Sequence, residues 1–197
     1  MRTAPAQMIA AIIGLNGTGR QLAALLAVTG LEHLFLIDAG RVRPADQARG
    51  GYLAEDTGRP RRHATAEFCH RLNPRLDIRT ATQVSPINLR HCAAVFCCSS
   101  QTRQTVLRRF ATIVPFFADV SCADTSVRIL IAQDARALRP SLRPLPRRRA
   151  RRPDEAALAL AAIAAGLAVD LFLQHTRGRS APARVRFDVA HLSLTTR

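Results

Sequence analysis

The segment from Ile9 to Asp38 constrains the fold more than any other part of the chain. It opens with an apolar run, Ile9–Ile13, and passes through Gly14-Leu15-Asn16-Gly17-Thr18-Gly19. It continues with helical apolar spacing and closes on Leu34-Phe35-Leu36-Ile37-Asp38. A buried strand, a glycine turn, a helix and a second strand ending in a carboxylate form the first unit of an α/β sheet. A helix N-terminus presents unpaired N–H groups and a positive dipole end to an anion. Glycine lets the backbone approach that anion, and the acid ending the second strand can accept from a ribose hydroxyl. Asn16 occupies the second glycine position of a G-x-G-x-x-G spacing, and asparagine tolerates left-handed backbone better than most residues. A nucleotide site is expected; a plain strand–helix turn is the alternative.

The same alternation continues. Strands are expected at Ile9–Ile13, Leu34–Asp38, Asp77–Thr82, Ala93–Cys98, Val114–Ala118 and Ser126–Ala132, and helices at Thr18–Val28, Pro60–Leu72 and Thr102–Phe110. Near-continuous apolar strands imply burial on both faces, hence a mostly parallel sheet with helices on both sides. Residues 133–152 break the pattern with eight arginines from Arg136 to Arg152 interleaved with Pro140, Pro144 and Pro146. Such a stretch buries little and repels itself; it reads either as a solvated linker or as a clamp for an anionic or extended peptide partner. Pro153 and Asp154 then start a helix to about Gln174. Its apolar stretch Ala156–Val169 is 14 residues of mostly alanine, short of the roughly 20 a membrane span needs, so a core or dimer-interface helix is expected. Ala183–Asp188 and His191–Leu194 alternate like a closing antiparallel pair. The expected division is therefore 1–132 as nucleotide-binding core, 133–152 as crossover segment, and 153–197 completing the same domain.

Composition narrows the partners. The 197 residues carry a net charge of +15, and every basic residue is arginine; there is no lysine. Guanidinium grips phosphate with paired hydrogen bonds but cannot act as an amine nucleophile. The charge favours an anionic partner. One Tyr and no Trp leave little surface for stacking bases, which argues against nucleic acid. Five cysteines, Cys69, Cys92, Cys97, Cys98 and Cys122, are odd in number and lie mostly in apolar surroundings, which fits reduced thiols in a cytoplasm. The N-terminal residues show no signal-peptide pattern, and no membrane role is expected.

After Asp38 the motifs become specific. Asp46-Gln-Ala-Arg49 is followed by Asp56-Thr-Gly58-Arg-Pro-Arg61, and Arg71-Leu72-Asn73-Pro74 closes the next helix. In order and spacing this resembles the ThiF/MoeB-type adenylyltransferases, relatives of the ubiquitin-activating enzymes, over roughly residues 8–132. The family shows a glycine loop, a strand-end Asp, an Asn-x-x-Arg element, an Asp-x-Gly-x-x-Lys helix start and a Leu-Asn-Pro close. The resemblance implies a Rossmann-like α/β domain with a C-terminal helix and antiparallel strand pair. It implies that Gly14, Asn16, Gly17 and Gly19 line the phosphates of ATP and that Asp38 holds the ribose. Arg49 matches the phosphate-contacting arginine, and Arg61 stands where the family has lysine; these two would be the catalytic cations. The activity implied is adenylation of the C-terminal carboxylate of a small ubiquitin-like carrier protein or peptide, by a homodimer.

Three departures bear on that activity. Asp46 replaces an asparagine and brings negative charge towards the phosphates. The strand-end pattern Asp-x-x-Asp-Asn falls on Cys97-Cys98-Ser99-Ser100-Gln101, and a thiol is a poor ligand for the hard magnesium ion that the family's first aspartate attends. Mg2+ is therefore left open, with Asp119 the nearest substitute acid in sequence, or a turn cap. Cys-x-x-Cys zinc pairs are absent, as is any cysteine after Cys122 that could form a thioester, so no metal ligands are assigned. A catalytically inactive scaffold that dimerises and binds a partner is the alternative. An NAD-dependent oxidoreductase would share the turn and Asp38; the Asp56-x-Gly-x-x-Arg61 element and Asn73-Pro74 argue against it.

Overall fold

The computed structural model describes residues 8–89, 91–99, 101–110, 114–132 and 154–197. The Arg/Pro-rich stretch 133–152 lies outside them. The chain runs β1 (Ile9–Ile13), α1 (Gly17–Ala27), β2 (His33–Ile37), α2 (Pro44–Gly50), α3 (Arg61–Leu72), β3 (Asp77–Ala81), α4 (Pro86–Leu89), β4 (Cys92–Cys97), α5 (Arg103–Phe110), β5 (Phe116–Ala123), β6 (Ser126–Ile131), α6 (Asp154–Thr176), β7 (Arg184–Asp188) and β8 (Ser193–Thr196). One eight-stranded sheet results, in the order β3-β2-β1-β4-β5-β6-β7-β8. Pairings from β3 through β5 are parallel, and those from β5 through β8 are antiparallel.

Strand periodicity sends alternate residues to opposite faces. Ala10 and Ile12 of β1, with Ala94 and Phe96 of β4, join one core together with α1, α3 and α6. Ala11, Ile13 and Val95 join the other, under Leu89 of α4 and Val106 and Leu107 of α5. Adjacent Cys97 and Cys98 accordingly enter different cores. On the first face Phe96, Phe116 and Phe172 form a ring cluster with centroids 5.5–5.8 Å apart, a spacing that favours tilted aromatic contact.

Several elements differ from expectation, the short helix α4 (Pro86–Leu89) among them. The helix Pro44–Gly50 was not expected, because it buries little beyond Gly50 and so has no apolar period. Proline in its first turn and the Asp46 carboxylate accepting from Arg43 N at 2.9 Å start it instead. Strand β5 runs on to Ala123 because it folds back onto β6 through a hairpin in which Asp124 takes φ +51°. Strand β8 begins two residues later than expected, after Leu192 turns at φ +47°. Helix α6 carries Ala157–Thr176, 20 residues of mean hydropathy 2.0, long and apolar enough to cross a membrane by length and composition. Here Ala164, Ala165 and Ala168 are fully buried, and the helix packs along α1 and over β5 and β6. Alanine lets the two helix backbones approach closely.

The chain leaves β1 for β2 on one side and returns to β4 on the other. Parallel α/β sheets place ligand sites at such a switch point, outside the carboxyl ends of the strands.

Candidate functional site at the strand switch point

A cleft of about 540 Å³ opens there, within the range of small-molecule sites. Its floor is the glycine loop. Gly14 turns at φ +89°, where a side chain would be strained and would also strike Ser99. Asn16 caps α1: its Oδ1 accepts from Gly19 N at 3.1 Å, and its Nδ2 donates to Cys98 O at 2.7 Å. The asparagine therefore ties the loop to the end of β4 and occupies one first-turn N–H that an anion would otherwise use. Gly14 and Asn16 line the cleft; Gly17 and Gly19 do not. A Cβ on Gly17 would meet the Arg49 carbonyl, and one on Gly19 the Gly14 carbonyl. Those two glycines are required by the chain's own close packing.

Asp38 lies at the end of β2, on the cleft wall. Its Oδ2 accepts from Leu15 N at 2.7 Å and its Oδ1 from Gly40 N at 2.6 Å. The carboxylate is thus aimed by the loop, and each oxygen keeps a lone pair for a further donor. Arg61, at the start of α3, lines the same wall. Its Nη2 and Nε donate to Asp46 Oδ2 at 2.7 and 3.2 Å. Burial alone would lower its pKa, but the hydrogen bond and charge of Asp46, with the charge of Asp38, hold it above the ordinary value. Arg49 is exposed in the last turn of α2 and does not line the cleft.

Several site residues come from segments without a sequence signal. Arg43, before α2, and Thr102, Thr105 and Arg109 of the α5 segment line the cleft. Ser99 Oγ accepts from Thr102 N at 3.2 Å, which fixes the turn into α5. Beneath the loop, Tyr52 donates its hydroxyl to Leu15 O at 2.7 Å and lies 3.1 Å from Thr65 Oγ1. Its ring faces the buried Arg20 guanidinium at 4.1 Å. Burial pushes the Tyr52 hydroxyl up to about 12, although Thr65 and Arg20 work against the shift. The isolated Tyr gave no pattern to read, yet its hydroxyl supports the glycine loop from beneath.

The acids expected near the phosphates are otherwise engaged. Cys97 is fully buried, and burial pushes its thiol up to about 12, so a neutral thiol stands where the family has its magnesium-associated acid. Asp119, expected as a substitute acid or a cap, is held in a buried ion pair. It sits across from Cys97 on β5 and takes Arg103 Nη2 and Nε at 2.6 and 2.7 Å inside the protein. Glu67 accepts from Arg59 and Arg71, Cys69 enters the core, and no group of three metal-binding side chains occurs among the described residues.

Comparison with known proteins agrees with this architecture. PaaA, in a selenomethionine crystal structure, superposes with a TM-score of 0.75 at 15% identity, covering 97% of this chain and 72% of its own. E. coli MccB with ATP gives a TM-score of 0.73 at 10% identity, covering 98% of this chain and 64% of its own. The microcin C7 biosynthetic enzyme MccB in complex with N-formylated MccA gives 0.74 at 11%, covering 96% and 64%. The chain thus spans just under two thirds of MccB. Among curated proteins, no relative matches the chain. The sequence profile of the ThiF family matches residues 6–196, nearly the whole length, and the chain belongs to the ThiF family.

Proposed function

We propose that this chain binds ATP in the switch-point cleft and adenylates the C-terminal carboxylate of a small ubiquitin-like carrier protein or peptide. The observation that carries this reading is the Asp38 carboxylate, held by Leu15 N and Gly40 N on the wall of a cleft that Arg61 also lines. Asp38 would accept from the ribose hydroxyls. The Gly14–Asn16 turn would floor the phosphate end, and Arg43, Arg61 and Arg109 would hold its charge by paired hydrogen bonds. Arg49 enters through the family resemblance alone. ATP, when bound, supplies an α-phosphorus open to a carboxylate, with pyrophosphate as the leaving group. The protein's own part is orientation and fixed positive charge, which together can supply much of such a rate enhancement. The MccB structures with ATP and with N-formylated MccA support a nucleotide-and-peptide reading in kind, and a cytoplasmic homodimer accords with it.

Calorimetric titration of the purified protein with ATP tests binding. Exchange of labelled pyrophosphate into ATP, driven by carrier or peptide tails, tests catalysis. Saturable heat and tail-dependent exchange are expected; absence of heat overturns the nucleotide reading. The buried Asp119–Arg103 pair and the neutral Cys97 favour a second reading, a nucleotide-binding scaffold without catalysis. ATP binding without exchange for every tail would select it.

A further inference from the structure

The resemblance that brings ATP to this cleft also brings magnesium, and the donor set does not suit that ion. Magnesium takes hard oxygen ligands, typically one or two carboxylates beside the substrate phosphates. Among the described residues, Asp38 is the acid that lines the cleft, and in the nucleotide reading its remaining lone pairs go to the ribose; the other nearby carboxylates are already paired. Asp38 accepts from two backbone amides. Asp46 accepts from Arg43 N and from Arg61. Asp56 accepts from Leu53 N and Arg59. Asp119 is bound by Arg103 in the interior. The strand-end position that would carry the ion's acid is the buried thiol of Cys97.

The positive side is supplied differently. Arg43, Arg61 and Arg109 reach the cleft from three separate segments, against Asp38 as the one acid lining it among the described residues. Asp46 takes Nε and Nη2 of Arg61, while Nη1 lies on the side of Gly40, a cleft residue. We infer that the cleft takes its nucleotide as the bare polyphosphate, with the guanidinium groups of Arg43, Arg61 and Arg109 standing in for the divalent cation. This rests on the nucleotide reading above. Free ATP carries two more negative charges than its magnesium complex, so a cation-lined cleft attracts it more strongly. Magnesium in solution competes with the arginines for the same phosphate oxygens.

Calorimetry of ATP binding to the intact protein, in EDTA and then in excess Mg2+, tests this. Affinity in EDTA should be the tighter by about tenfold, roughly the worth of one charge-assisted hydrogen bond. Arg109→Ala should weaken ATP binding in EDTA by about tenfold, with the urea midpoint unchanged. Manganese relaxivity should rise no further with protein and ATP than with ATP alone. Tighter binding in Mg2+, enhanced relaxivity, or an Arg109→Ala protein that binds as the parent does would each overturn the inference while leaving ATP binding intact. Heat in neither condition would remove the nucleotide reading itself, and this inference with it.

Discussion

Arg61 and Asp46 meet through two hydrogen bonds to one carboxylate oxygen, 2.7 and 3.2 Å long, with side chains only 19% and 18% exposed. Each residue departs from the family pattern, lysine becoming arginine and asparagine becoming aspartate. Together the two changes compensate. The charge that Asp46 would bring towards a phosphate is met by a cation that cannot lose its proton. The same carboxylate starts α2 by accepting from Arg43 N, so the pair joins helix capping to the charge of the cleft.

Asp46→Asn keeps an oxygen for the Arg43 amide and removes the counter-charge. ATP affinity should rise several-fold, by about the value of a modest charge interaction. Arg61→Ala removes a cleft cation and strands Asp46. It should cost at least about tenfold in ATP affinity and roughly 1–2 kcal/mol of stability. The double change Asp46→Asn, Arg61→Lys restores the family's pair and should bind ATP close to the parent. Calorimetry and urea unfolding check all three. Unchanged affinity in Arg61→Ala would remove Arg61 from the site.

Tyr52 carries the second prediction. Its hydroxyl serves Leu15 O in the glycine loop and Thr65 Oγ1 in α3. Tyr52→Phe keeps the ring on Arg20 and leaves the Leu15 carbonyl without that donor. The cost should be about 1–2 kcal/mol, with weaker ATP binding because the loop also aims Asp38. Thr65→Ala removes the lesser partner and should cost less. Should Tyr52→Phe lower stability and leave ATP affinity untouched, the tyrosine supports the fold alone.

The buried acids predict an alkaline instability. Burial pushes Cys69 and Cys97 from 9.0 to about 12, Cys92 to about 11, and Tyr52 from 10.0 to about 12. Each group binds its proton more tightly folded than unfolded. Unfolding therefore releases protons once the pH passes 9.0, and stability falls as pH rises. The contribution is fully present below 9.0 and is lost between there and about 12. The steepest loss is about 1.4 kcal/mol per pH unit for each group. Urea midpoints measured across that window should fall, and Cys97→Ala or Tyr52→Phe should flatten the slope. A pH-independent midpoint would show that these groups titrate alike in both states.

Much of this was legible because local chemistry and tertiary role coincide. The β1–α1–β2 unit announces itself through apolar runs, a glycine turn and Asp38, and its packing reuses those features. Arg61 was legible as the helix-start cation. Gly17 and Gly19 were legible as glycines, while their close contacts with the backbone carbonyls of Arg49 and Gly14 were not. Tyr52, Arg43 and Arg109 were not legible. Each is a single residue in a polar or weakly periodic segment; only folding brings Arg43 and Arg109 to the same cleft and sets Tyr52 under the glycine loop. Asp119 was read as a site or cap candidate because its partner, Arg103, lies 16 residues away with no pattern linking them.

That partnership yields the last prediction. Asp119 and Arg103 are 1% and 6% exposed, and burial raises the Asp119 pKa while Arg103 pulls it back. Breaking such a pair from one side leaves a charge in the interior. Arg103→Met should cost about 3–5 kcal/mol, whereas Arg103→Met with Asp119→Leu should recover most of that loss. Asp119→Asn should destabilise in the same sense and leave ATP affinity unchanged in the folded fraction. Cys97 faces Asp119 across β4 and β5, so Cys97→Asp alone places a second carboxylate beside the first and should destabilise rather than restore a metal site. Urea unfolding with parallel ATP titration separates the cases. A stable Asp119→Asn protein that loses ATP would put Asp119 in the cleft's chemistry after all, because a purely structural ion pair moves the unfolding midpoint first.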